Sequence, residues 1–435
     1  LSDIKLGITE QFEININATL ASMEESYGVT TSTDRDISTR FRLLVENIYK
    51  KTGKQVVVLI DEYDSPLLTV LHNPERLNAM RTAMQSFFSP LKKLDPYLRF
   101  VFITGITKFS QLSIFSQLNN LSNITMLPQY STIVGFTQEE LEKNFKDGIQ
   151  SLAEQNNITY QEVLEKLKNL YDGYHFSRNS EGVYNPFSVL RAMNTRQLDN
   201  FWFETGTPTY LIKTLQSHDT FIPGLEECKA FSSDFDAPTE AMVNVLPLLY
   251  QSGYLTIKGY NPYTTEYTLG FPNTEVKVGL LHSLIPYYVS KGNTKASSAL
   301  GNMWLALMHD DLDGMLHTAR SFFASIPYQE GTLKDMKTSE GHFTAMLYVM
   351  FSLLSNFCYS QVRTAEGRMD ILLKTPTTIY VMELKMDGSV DDALAQIDDK
   401  GYLIPYESDG RRLVKAGISF SSKERTIKEW KIVEG

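Results

Sequence analysis

In TIYVMELKM (378–386) a carboxylate and an ammonium group stand two positions apart, at Glu383 and Lys385. Side chains alternate across an extended strand, so Ile379, Val381, Glu383 and Lys385 share one face and Tyr380, Met382 and Leu384 the other. In GRMDILLK (367–374), Asp370 takes the face opposite Met369, Ile371 and Leu373. Only Thr375, Pro376 and Thr377 separate the two strands, so a hairpin can set Asp370 beside Glu383. Two converging carboxylates bind Mg²⁺ or Mn²⁺, which polarises a phosphodiester and acidifies water, while Lys385 steadies the nucleophile or the developing charge. The alternative is an exposed hairpin whose Asp, Glu and Lys form a surface salt bridge worth about 0–1 kcal/mol.

The flanking elements favour the first reading. Upstream, Phe343, Met346, Leu347, Met350, Leu354 and Phe357 recur with helical period, and Glu340 falls on the same inward stripe. Downstream, Ser389 is an N-cap with Asp392 three positions on, and the helix it opens carries Gln396, with Tyr402 following. Glu340, Gln396 and Tyr402 are therefore supporting candidates. From Ser339 the pattern is a long helix, three strands, a helix and two more strands, a separate α/β domain.

A second constellation lies in VVVLIDEYD (56–64), where an uninterrupted apolar run predicts a buried parallel strand ending in Asp61 and Glu62. Ligands bind at the carboxyl ends of such strands. This one suits a Walker B role, with Asp61 on Mg²⁺ and Glu62 orienting a water for attack on a nucleotide γ-phosphate. The bland reading is a strand end followed by a helix. The next apolar run, FVFITG (100–105), leads into Thr107 and Lys108, placed like a sensor beside a γ-phosphate. No GxxxxGK[ST] loop occurs in the sequence.

Strand, helix opened by Asn73-Pro74-Glu75, and strand again predict an α/β unit with a parallel sheet. Thr137-Gln138-Glu139-Glu140 is a capping box opening a mainly helical stretch to about residue 230. Residues 239–252 predict a helix, 254–257 and 266–271 a hairpin, and Glu275 onward another helix, a winged-helix-like order.

LIDEYDSPL (59–67), ITGITKFSQLSIFSQLNNL (103–121), YDGYHFS (171–177), YNPFSVL (184–190), FWFETGTPTYL (201–211) and GFPNTEV (270–276) together resemble the bacterial AAA-ATPase-like family, whose members typically end in a PD-(D/E)XK domain. The resemblance covers nearly the whole chain. It implies an α/β protein: a partial P-loop-type parallel sheet core lacking the phosphate loop (1–136), a helical lid-like region (137–235), a winged-helix-like and helical region (236–330), and a C-terminal PD-(D/E)XK nuclease domain (331–435). It implies that the phosphate loop lies upstream of Leu1, the sequence being N-terminally truncated, and that ATP binding belongs to the full-length protein. For residues 338–435 it implies Mg²⁺-dependent cleavage of DNA or RNA, with Asp370 and Glu383 as ligands, Lys385 catalytic and Glu340 assisting. Tyr174, Trp202 and Phe203 are expected to be core or interface aromatics rather than a base-stacking platform.

The whole chain agrees with a folded multidomain protein. It has 435 residues, 42% hydrophobic and 21% charged, more than one ordinary core can hold. Its net charge of −10 argues against coating nucleic acid with the entire surface, but residues 331–435 carry 14 Lys+Arg against 15 Asp+Glu, which leaves room for a local basic groove. Two distant cysteines, Cys228 and Cys358, exclude a disulfide scaffold and are expected to be buried. The sequence lacks a signal pattern and a membrane-length apolar run, so a cytoplasmic protein without membrane contact is expected. The expected partners are nucleic acid, DNA before RNA, and ATP; a homo-oligomer is possible by analogy with ATPases. A regulatory or DNA-binding switch that no longer cuts is the alternative, and a nucleotide-independent RNA-processing enzyme a further one.

Overall fold

The computed structural model describes residues 9–31, 36–70, 73–106, 121–205, 211–212, 214–215, 220, 222–236, 245–288, 299, 302–303, 305–307, 309–324, 348–350, 358–363, 368–424 and 426–435. The first unit comprises α1 (Thr9–Tyr27), α2 (Ile37–Thr52), β1 (Val56–Ile60), α3 (Ser65–Leu68), α4 (Pro74–Phe88) and β2 (Leu98–Ile103). Asp36 caps α2 through Ser38 and Thr39, and Gly53 ends it at φ 67°, a left-handed conformation that glycine adopts without steric cost. Asn73 caps α4, with Pro74 in its first turn.

Strands β1 and β2 pair in parallel, Val57 with Phe100 through Ile60 with Ile103. The expected burial of β1 holds on one face only. Val58 is buried against a core that includes Phe12, Leu44, Met84 and Phe88, whereas Val57, Leu59 and Phe100 are 50%, 69% and 53% exposed. Helices α1, α2 and α4 pack on the Val58 side, and no described element covers the other. An apolar run by itself does not say how many faces its sheet buries.

The next helices are α5 (Gln138–Asn144), α6 (Lys146–Asn156), α7 (Tyr160–Tyr171) and α8 (Pro186–Thr195). Reciprocal capping boxes at Thr137/Glu140 and Thr159/Glu162 start α5 and α7. A three-stranded antiparallel sheet follows, in the order β3 (Cys228–Phe231), β5 (Glu266–Gly270), β4 (Thr256–Asn261), flanked by α9 (Leu246–Gln251) and α10 (Thr274–Tyr288). The expected hairpin is present, with strands reaching Asn261, while β3 was not anticipated. Residues 239–244 of the helix expected over 239–252 lie outside the described residues.

After α11 (Leu312–Ala324), the C-terminal sheet has the order β10 (Thr426–Glu434), β9 (Arg412–Ser421), β8 (Thr378–Met386), β7 (Arg368–Lys374), β6 (Cys358–Arg363). Helix α12 (Val390–Asp399) makes the crossover between β8 and β9, the one parallel pair of this sheet; the other pairs are antiparallel. One face packs Leu372, Ile379 and Val381 under Leu394, Ile397 and Tyr402. The other turns Ile371, Tyr380, Met382, Leu384 and Phe420 into an apolar cluster that runs from Tyr174 to Ile427. Phe323 of α11 meets Phe420 edge-on at 5.6 Å, and Asp310 accepts hydrogen bonds from Thr377 (2.9 and 3.0 Å) and Tyr380 (3.0 Å). The middle of the chain is thus the second cover of this sheet. Among the described residues no helix is long and apolar enough to cross a membrane.

Candidate functional site

The β7–β8 ladder pairs Ile371 with Met382 and Lys374 with Ile379, and one further step of that register sets Asp370 opposite Glu383. Period-two alternation places both on the α12 side, as their neighbours Leu372 and Val381 confirm. Asp370 Oδ2 accepts the Leu384 backbone N–H at 3.0 Å. Glu383 is only 2% exposed. Its Oε1 accepts from the Gln396 side-chain amide and lies 3.5 Å from Lys385 Nζ, which donates to Gln396 Oε1 at 2.6 Å. Its Oε2 is buried without a hydrogen-bond partner.

Helix α12 is anchored so that Gln396 reaches the strand. Ser389 Oγ accepts from the Asp392 N–H at 3.0 Å, and Asp391 and Asp392 favour the positive end of the helix dipole. Ser419 donates to the Gly388 carbonyl at 2.7 Å, and the Asp387 N–H donates to the Phe420 carbonyl at 2.8 Å, tying the β8–α12 turn to β9.

Burial pushes the Glu383 carboxyl up, the charge of Asp370 adds to the rise, and Lys385 opposes it; the balance stands at about 7. A buried carboxylate with an orphaned oxygen and a second carboxylate beside it is costly to ionise alone, and a divalent cation relieves that cost. The donors are hard oxygens, which suits Mg²⁺ or Mn²⁺. Among the described residues no group of three or more His, Cys, Asp or Glu that could hold a metal gathers at one point; the described carboxylates here are Asp370 and Glu383. Glu340 lies outside the described residues. Tyr402 is 1% exposed, in the apolar cluster beneath α12.

At the other constellation, Asp61 and Glu62 follow the last residue of β1. Asp61 Oδ1 accepts from the Thr104 hydroxyl and from the Glu62 N–H (3.0 Å), and Glu62 takes φ 50°, an unusual conformation for a residue with a side chain. The ends of β1 and β2 are stitched by Thr104 N–H to the Ile60 carbonyl (2.9 Å) and Tyr63 N–H to the Thr104 carbonyl (2.9 Å). Asp64 is fully buried and accepts the Ile106 N–H at 3.1 Å. Sequence reading singled out neither Thr104, directly after β2, nor Asp64, four residues after β1; their place near the ends of two paired strands was the available signal. Thr107 and Lys108 lie outside the described residues.

The aromatic motifs of the middle converge on a carboxylate that sequence reading passed over. Glu275, fully buried, accepts from Ser188 Oγ (2.8 Å) and from the N–H groups of Phe201 (2.6 Å) and Trp202 (2.9 Å). Tyr174 is buried, and Trp202 and Phe203 pack half-buried against the large apolar cluster. They are core aromatics, as expected. Cys228 is half-buried, its thiol raised by burial to about 12, and the Cys358 side chain lies outside the description.

A curated relative, "Uncharacterized protein in vnfD 5'region" from Azotobacter chroococcum mcd 1, is 30% identical over 422 residues, 96% of this chain and 79% of the relative. Residues 1–115 match the AAA-ATPase-like family, described as a predicted AAA-ATPase. The chain belongs to the AAA-ATPase-like family. In this AAA-ATPase-like chain, residues 338–430 match the PD-(D/E)XK nuclease superfamily, so the Asp370–Glu383–Lys385 constellation falls within the nuclease match and Asp61–Glu62 within the ATPase match. No solved structure matches the chain.

Proposed function

We propose that the protein is an ATP-linked, divalent-metal-dependent nuclease that hydrolyses phosphodiester bonds of nucleic acid, DNA before RNA. The observation that carries this reading is the buried Glu383, whose unpartnered Oε2 shares a strand face with Asp370 while Lys385 stands two positions along the same strand. Asp370 and Glu383 hold the ion. When bound, Mg²⁺ or Mn²⁺ supplies Lewis acidity to the phosphodiester and to water. Lys385, its side chain a quarter exposed, faces the charge that develops on the phosphate. Gln396 bridges Lys385 and Glu383 and holds both orientations.

Asp61 and Glu62 take the nucleotide end of the reading, Asp61 toward Mg²⁺ and Glu62 toward the attacking water, with Thr107 and Lys108 assigned to the γ-phosphate. ATP turnover then positions or gates cutting. Support comes from the parallel β1–β2 pair and from the strained, hydrogen-bonded strand end.

A non-cleaving nucleic-acid reader is the second reading, favoured by the β4–β5 hairpin, which follows α9 and precedes α10 in the chain and carries Tyr263, 96% exposed, in its turn. The deciding experiment is incubation with single- and double-stranded DNA and RNA in Mg²⁺ or Mn²⁺. Metal-dependent cleavage supports the nuclease; tight, metal-independent binding without products supports the reader.

A further inference from the structure

On the strand beside the candidate site, one position facing α12 has no side chain. Gly417 pairs with Glu383 in the parallel β8–β9 ladder. A Cβ built there would lie 2.4 Å from the Val390 carbonyl oxygen, 3.1 Å from Ala393 Cβ and 3.2 Å from Leu394 Cγ, all on α12. The first contact is with backbone in the opening turn of the helix, so no side-chain rotation relieves it. Gly417 does not have a positive φ, so the demand on this position is space rather than conformation.

We propose that Gly417 is a positioning residue for the candidate site, whose bare backbone lets α12 seat deeply enough for Gln396 to reach Glu383 and Lys385. This rests on the nuclease reading only for its consequence; the seam itself is geometric. Restoring ordinary contact to a Cβ at 417 moves the first turn of α12 outward by roughly 1 Å, because packed interiors hold no slack to absorb it. Gln396, on the same short helix, makes hydrogen bonds that a displacement of that size breaks. The effect of a substitution at 417 therefore passes through Gln396. A role in general stability would act equally with or without it.

The test is a double-mutant cycle in the full chain with Gly417→Ala, Gln396→Ala and the pair. Mn²⁺ affinity is read by electron paramagnetic resonance, and the Gln396 side-chain amide by NMR after ¹⁵N-glutamine labelling. Val414→Ala, on the opposite face of the sheet, is the destabilised control. Gly417→Ala is expected to weaken Mn²⁺ about tenfold, the scale of losing an outer-shell partner. It should weaken Mn²⁺ by less than about twofold when Gln396 is already alanine, and should release the Gln396 amide to solvent-like exchange. Val414→Ala should lower the melting temperature and leave both readouts unchanged. Equal loss of affinity in both backgrounds, or a Gln396 amide unchanged by Gly417→Ala, overturns the proposal. Should Gly417→Ala fail to fold, Ala393→Ser crowds the same seam by one atom from the helix side and is judged by the same criteria. If the unsubstituted chain binds no Mn²⁺, the nuclease reading falls, and the Gln396 amide still decides the positioning claim.

Discussion

The side-chain amide of Gln396 donates to Glu383 Oε1, joining α12 to the strand at a carboxylate whose other oxygen is buried and unpartnered. Glu383 is therefore half satisfied by the protein, and the cost of the other half depends on pH.

That cost sets a stability prediction. The folded Glu383 carboxyl stands at about 7 against an ordinary 4.5, so the folded state binds more protons than the unfolded state between these values. Metal-free protein should therefore lose stability as pH rises from about 4.5 to 7, by up to a few kcal/mol at about 1.4 kcal/mol per pH unit. Glu383→Gln should flatten that slope and raise the metal-free melting temperature at pH 8. Thermal unfolding in chelator across pH checks both; a wild-type slope retained in the variant refutes the assignment.

Glu275 yields a second prediction. Alanine in its place strands a hydroxyl and two buried N–H groups, and each buried orphan costs roughly 1–3 kcal/mol, so Glu275→Ala should lose at least about 3 kcal/mol. Glutamine keeps a carbonyl oxygen for the Phe201 and Trp202 amides, and because burial raises the Glu275 carboxyl, removing its charge offsets part of the loss. Urea denaturation should rank wild type and Glu275→Gln close together and the alanine variant far below.

Arg40 and Glu24 tie α1 to α2 through two 2.9 Å hydrogen bonds, with Asn17 receiving the remaining guanidinium edge. Arg40 is 3% exposed. Glu24→Ala leaves that cation buried and unpaired and should cost about 3–5 kcal/mol. Glu24→Met with Arg40→Leu should recover most of it, as measured by chemical denaturation; a double variant no better than the single would show that the hydrogen bonds, not the stranded charge, carry the effect.

Much of the C-terminal site was legible because period-two alternation is a strong local signal. TIYVMELKM placed Glu383 on one face with Ile379, Val381 and Lys385, the short TPT turn fixed the partner strand, and the Ser389 cap located the helix that carries Gln396. Less legible were features set by packing between distant segments. Gly417 is an unremarkable residue in an apolar strand, and its role comes from a carbonyl on α12. Glu275 resembles an ordinary acidic residue in a first helical turn, and its partners lie 73 to 87 residues away. The four-residue β3 is too short for its alternation to stand out, and the run VVVLI does not say that Val57 and Leu59 are exposed while Val58 is buried.

In the proposed function, Asp370, Glu383 and Lys385 form a metal-dependent hydrolytic site. It is tested most directly by single-turnover cleavage of an end-labelled nucleic acid in Mn²⁺ by the wild type, Asp370→Asn, Glu383→Gln and Lys385→Ala, with direct Mn²⁺ binding measured in parallel. The expected result is cleavage lost by about 100-fold or more in all three variants, with Mn²⁺ binding lost in the two carboxylate variants and kept in Lys385→Ala. Cleavage that persists in Glu383→Gln, or Mn²⁺ binding indifferent to both carboxylates, would rule that site out.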